Sequence, residues 1–149
     1  MACPFFVPTT KFEDGSWPHP LRLPLGGGWR GRCSAPGHDG AQPDDDELRD
    51  SCNLGYASNC PRLPKQRDSD AVRFSVTRES GPRIALCFVF EAGHRPAGHG
   101  TLEYDVRSQR WTSSHSNEAI QKQADCYMQS YLQHKIQLAG AGNTPSANP

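Results

Sequence analysis

A chain of 149 residues has the length of one compact domain, or of one small domain with an appended lobe, and more than two domains do not fit. Its 16 Lys and Arg balance 16 Asp and Glu, so no basic surplus exists to neutralise phosphates and no acidic tail, which argues against nucleic acid as a partner. No apolar run approaches the roughly 20 residues needed to cross a bilayer, and the opening MACPFFVPTTKFEDGSW lacks the regions of a secretory signal, so the expected compartment is the cytoplasm. Thiols stay reduced there, and six cysteines then point to metal ligands, reactive thiols or core residues; in an exported chain three disulfides become the simpler reading.

Residues 1–64 hold nine of the thirteen prolines, eight of the fourteen glycines and four of the six cysteines, which predicts an irregular, loop-rich lobe. Its one expected helix is PDDDELRDSCNLGY, with Asp44 or Asp45 capping the acidic first turn and Gly55 supplying a left-handed stop, which puts Cys52 on the last turn. From residue 65 the texture changes. AVRFSVTRE alternates Val72, Phe74 and Val76 with polar residues, the period of a strand with one buried face. A turn is expected over 79–82. RIALCFVFE is apolar almost throughout, as in a strand covered on both faces, which makes Cys87 a core residue.

GTLEYDV alternates again through Leu102, Tyr104 and Val106, and RSQRWTS predicts a short fourth strand carrying Trp111. Ser116 opens a helix to about Gln137, with Ile120, Ala124, Tyr127, Met128, Tyr131 and Leu138 on one apolar face and Cys126 buried or half-buried beside it. The small, polar residues 139–149 read as a disordered tail. The expected architecture is α+β: a three- or four-stranded antiparallel sheet with a C-terminal helix on one face over 65–138, plus the N-terminal lobe.

The lobe has few large apolar groups, chiefly Phe5, Phe6, Trp17, Trp29, Leu48, Leu54 and Tyr56, to set against an ordering cost of about 1–2 kcal/mol per residue. A staple is therefore expected. Cys3, Cys33, Cys52 and Cys60 supply four thiolates, the number that completes a tetrahedral zinc site or a [4Fe-4S] cluster, and His38 is a possible substitute ligand. The intervals of 29, 18 and 7 residues contain no close pair of the kind zinc modules use, and bring each ligand from a separate segment, as around a larger cluster. Cys3 and Cys60 are each followed by proline, and a Cys-Pro pair also closes the ligand run of bacterial ferredoxins, whose spacing this sequence does not share. Phe5, Phe6, Trp29 and Tyr56 can exclude water from such a centre or simply form the lobe's core.

The expected function is accordingly a small iron-sulfur protein that transfers an electron or senses oxidants with a protein partner. The alternatives are a zinc-stapled interaction module and a cysteine-dependent enzyme, for which Cys33 and His38 are the nearest pair. Other features carry less. EAGHRPAGHG predicts a flexible loop in which His94 and His99, with Glu91 nearby, have no specific ligand spacing. GGGWRGR lacks the lysine and hydroxyl residue of a phosphate loop, and PDDDE reads as a solvated helix start before it reads as a cation site.

Overall fold

The computed structural model describes residues 1–12, 23–54 and 60–142; Trp17, Gly55, Tyr56 and the tail from 143 to 149 lie outside them. The α+β class holds. Four strands, β3 (Ala71–Ser80), β4 (Arg83–Ala92), β5 (Arg95–Asp105) and β6 (Arg110–Ser113), form an antiparallel meander in sequence order, and α2 (Glu118–Gly142) packs on one face. The period-2 pattern of AVRFSVTRE places Val72 and Phe74 toward the helix, where the Phe74 ring meets Tyr127 at 6.0 Å between centroids.

β4 departs from the expectation of two covered faces. Ile84, Leu86 and Phe88 are buried under α2, whereas Ala85, Cys87 and Val89 are only half-buried on the opposite face. Cys87 is therefore not a core residue. A central strand with all its positions apolar reads as doubly covered, but this chain supplies one helix, and that helix covers one side.

The β4–β5 connection is also tighter than expected. Gly93 and His94, with φ of 58° and 65°, make a two-residue turn of the mirror-image kind that matches strand twist, and Asp70 accepts from the Gly93 amide at 2.8 Å. His94 thus sits at the turn, and His99 is exposed within β5 opposite Val89, so EAGHRPAGHG is a hairpin rather than a flexible loop.

Asn117 caps α2 by accepting from the amides of Ala119 (2.9 Å) and Ile120 (3.3 Å), one residue beyond the expected Ser116. Ile120, Ala124 and Met128 are fully buried, but Leu138 is exposed, and the helix continues through Ala139–Gly142 beyond its expected end.

The N-terminal half contains a ribbon that proline and glycine content conceals. β1 (Phe6–Lys11) pairs antiparallel with β2 (Trp29–Cys33). Pro8 is tolerated because it stands beside the register shift between Pro8 and Thr10, where a missing amide breaks no regular ladder. Gly31 opposite is obligatory: a Cβ there would lie 2.1 Å from the Val7 carbonyl oxygen. The GGGWRGR stretch is thus structural, a turn and a strand packed on α2, with Ser130 donating to the Leu25 carbonyl at 3.1 Å.

The acidic stretch folds as α1 (Asp45–Glu47) followed by a π turn over Leu48–Cys52, not as one regular helix. Asp44 is the cap, in a reciprocal capping box with Glu47. One continuous core joins both halves of the chain, running from Ala2, Phe6, Leu25, Trp29 and Leu48 to Leu86, Leu102 and Ile120.

Candidate metal centre

The four N-terminal cysteines come from four separate places that the backbone draws together. The Cys3 amide donates to the Cys52 carbonyl at 3.1 Å, which joins the N-terminus to the π turn. Cys33 stands opposite Phe6 in the ribbon, and the Ser34 amide donates to the Phe5 carbonyl at 2.8 Å. Cys60 opens a turn closed by the Leu63 amide at 3.2 Å, and its side chain packs on the core with Leu63.

Charge reports the same convergence. Burial pushes the Cys3 thiol up to about 12, with the nearby Phe5 and Phe6 amides pulling the other way and Cys33 and Cys60 adding repulsion. The Cys52 thiol is pushed up by burial and then by Cys3, Cys60, Cys33 and Glu47. No such repulsion from another cysteine acts on Cys126, whose thiol burial alone raises most, to about 12. Cys87 figures among the causes at neither Cys3 nor Cys52.

Among the described residues, however, no three His, Cys, Asp or Glu side chains form a group that could hold a metal ion as they stand. Coulomb interaction reaches further than coordination. The sulfurs of Cys3, Cys33, Cys52 and Cys60 are therefore electrostatic neighbours without being a closed single-ion cage.

Two amide residues, which the sequence reading passes over, hold this arrangement. Asn53 is fully buried; its Oδ1 accepts from the Trp29 amide at 3.0 Å, and its Nδ2 donates to the carbonyls of Trp29 (3.0 Å) and Leu48 (2.8 Å). It fastens the π turn that carries Cys52 to the strand that carries Cys33. Its own amide closes that turn on Leu48 at 3.0 Å, which accounts for the wide π geometry in place of an α turn. Gln123 on α2 is equally buried, and its Nε2 donates to the carbonyls of Cys3 (2.7 Å) and Phe6 (2.8 Å), while its Oε1 has no hydrogen-bond partner among the described residues. No spacing rule flags a lone Asn or Gln.

The surroundings complete the site. The Ala35 amide donates to the Cys33 sulfur at 3.3 Å. Arg62 pairs with Glu47 and lies within electrostatic reach of Cys60 and Cys33, so one cation stands on that side of the sulfurs. Cys3 and Cys52 are buried, whereas Cys33 and Cys60 are half-buried and form the solvent-facing edge. His38 is exposed in the turn after Cys33, its amide donating to Ala35.

The buried thiols predict a pH effect on the chain without metal. In the unfolded chain they ionise near 9.0; in the folded chain Cys3 and Cys126 do so near 12, and Cys52 is also raised. A raised folded pKa contributes stability below the unfolded value, and that stability is lost as pH rises from about 9 through 12, by up to about 1.4 kcal/mol per pH unit for each thiol. Urea unfolding of the reduced, metal-free protein should therefore show stability level up to about pH 9 and falling steeply above it. A flat profile to pH 11 would mean that these thiols are not buried. Metal uptake should have the opposite sign, since coordination releases the thiol protons.

Fold and site together define a small α+β protein whose four N-terminal thiols come from the segment before β1, the end of β2, the π turn and the turn that Cys60 opens. No protein-family model, curated protein or solved structure matches the chain.

Proposed function

We propose that Cys3, Cys33, Cys52 and Cys60 hold one [4Fe-4S] cluster, and that the protein uses it to carry single electrons or to sense oxidants. The supporting observation is that all four thiols lie in one electrostatic neighbourhood while the Ala35 amide donates to the Cys33 sulfur at 3.3 Å. Such donors offset thiolate charge and tune reduction potential at iron-sulfur centres. The half-buried Cys33 and Cys60 give the edge through which an electron or oxidant would pass, and a protein partner would meet the centre there. Burial pushes the Cys3 and Cys52 thiols up, so free thiolate is scarce at both, and a metal bound there would displace their protons.

Anaerobic reconstitution with iron and sulfide tests this. The expected product is brown, with broad absorption near ~400 nm that dithionite bleaches, and contains iron and sulfide in equal amounts. A protein that stays colourless with iron and sulfide, yet takes up one zinc when zinc is supplied instead, overturns the cluster and makes the four thiols a structural staple for an interaction module.

A further inference from the structure

All six cysteines are free, yet two of them stand where a covalent bond fits. The Cys3 amide donates to the Cys52 carbonyl at 3.1 Å, and among the described residues no other two cysteines are joined backbone to backbone. A direct amide-to-carbonyl bond holds two Cα atoms roughly 5–6 Å apart, inside the roughly 4.4–6.8 Å that a disulfide spans. Both side chains are buried in the same core cluster, and after burial itself Cys3 is the group that acts most strongly on the Cys52 thiol. Both backbones are also pinned. The Cys3 carbonyl accepts from Gln123 Nε2 at 2.7 Å and from the Phe6 amide at 3.1 Å, while Asn53, the residue after Cys52, is latched to Trp29 and Leu48. Two thiols held in this way meet at an effective concentration far above that of a dissolved thiol.

We propose that Cys3 and Cys52 form a disulfide site: in the chain without metal, a low-molecular-weight disulfide such as oxidised glutathione converts them to one Cys3–Cys52 bond. A thiolate of the pair attacks one sulfur of the reagent and expels the first glutathione thiolate, which leaves a mixed disulfide. The second protein thiol then attacks the protein-side sulfur and expels the other glutathione thiolate. Two electrons pass from the protein sulfurs to the glutathione sulfurs, and the two thiol protons end on the released glutathione. The bond closes roughly 50 residues into a ring, ties the segment before β1 to the π turn, and removes two of the four thiols from any metal centre. Formation needs no metal, so the inference goes beyond the cluster reading and does not rest on it.

Peptide mapping by mass spectrometry tests the proposal. The folded, reduced, metal-free chain is equilibrated with reduced and oxidised glutathione, its free thiols are blocked, and the digest is read without reduction. The expected product is a Cys3–Cys52 link in at least about tenfold excess over any other pair, whereas the same treatment in concentrated urea should give mixed pairs. The melting temperature of the linked chain should rise, by about 10 °C for a ring of this size. A folded chain that stays fully reduced, that links a different pair, or whose Cys3–Cys52 link lowers the melting temperature overturns the proposal, whether or not the reduced protein accepts iron and sulfide. A chain that makes this link but never assembles a cluster when reduced overturns the cluster reading alone and upholds the disulfide.

Discussion

Cys52→Ser is expected to abolish metal loading and to loosen the N-terminal half, while Cys87→Ala keeps both metal and fold. Cys3, Cys60 and Cys33 all act on the Cys52 thiol, and its carbonyl accepts from the Cys3 amide. In the proposed centre a bound metal would offset ordering at about 1–2 kcal/mol per residue, and structural zinc can contribute roughly 10–16 kcal/mol to folding. If the four thiols are ligands, removing one therefore removes a term as large as a domain's net stability of about 5–15 kcal/mol. Cys87 stands half-buried on the uncovered face of the sheet, so its truncation leaves no enclosed cavity and should cost less than about 1 kcal/mol. Metal analysis and amide exchange of both variants, prepared anaerobically, decide the matter. Equal metal content in Cys52→Ser and the parent would make the four thiols packing rather than coordination.

Asn53→Leu is expected to be nearly as damaging without touching a sulfur. The amide side chain satisfies both the N–H and the C=O of Trp29 in a place closed to solvent. Leucine of similar size strands those two groups, at about 1–3 kcal/mol each, so denaturant unfolding should report a loss of about 2–6 kcal/mol. Asn53→Asp separates shape from bonding. It keeps the outline and the acceptor for the Trp29 amide, but it loses both donors and aims a carboxylate at the Trp29 and Leu48 carbonyls. It should be at least as unstable as Asn53→Leu. Both variants should also load metal poorly, because the latch spans the elements that bring Cys33 and Cys52 together. A loss below about 1 kcal/mol in Asn53→Leu would show that water replaces the bonds and that the π turn stands without its latch.

In the proposed centre, the half-buried Cys33 and Cys60 would be the edge at which a partner exchanges electrons. Arg62 and Glu47 meet beside that edge, one fastening the turn after Cys60 and the other ending α1. The same ion pair thus joins the two segments that carry Cys60 and Cys52, and it places a positive charge against sulfurs that are anionic in any metal-bound state.

The sequence by itself determined the sheet, the helix and the supply of thiols. Strands β3, β5 and β6 and the inner face of α2 are written in local periods of 2 and 3.6, because alternate burial along one element depends only on near neighbours. Asp44 as cap and a turn after Glu79 follow from residue chemistry at single positions. The tertiary structure alone decided what those elements face. Whether β4 is covered on one side or two depends on how many helices reach it, so the setting of Cys87 could not be read from RIALCFVFE. The ribbon of β1 and β2 was hidden because Pro8 and Gly31 are strand breakers by composition but fit where a register shift and a close backbone approach coincide. A shared site for Cys3, Cys33, Cys52 and Cys60 was expected from their number; among the described residues they are electrostatic neighbours and form no group that could hold a metal ion as they stand. The means of gathering was not legible: Asn53 reaches 24 residues back to Trp29, and Gln123 reaches 120 back to Cys3. A buried amide bonded to a distant backbone looks, in sequence, the same as a solvated one, and only the folded chain shows which backbone groups it satisfies.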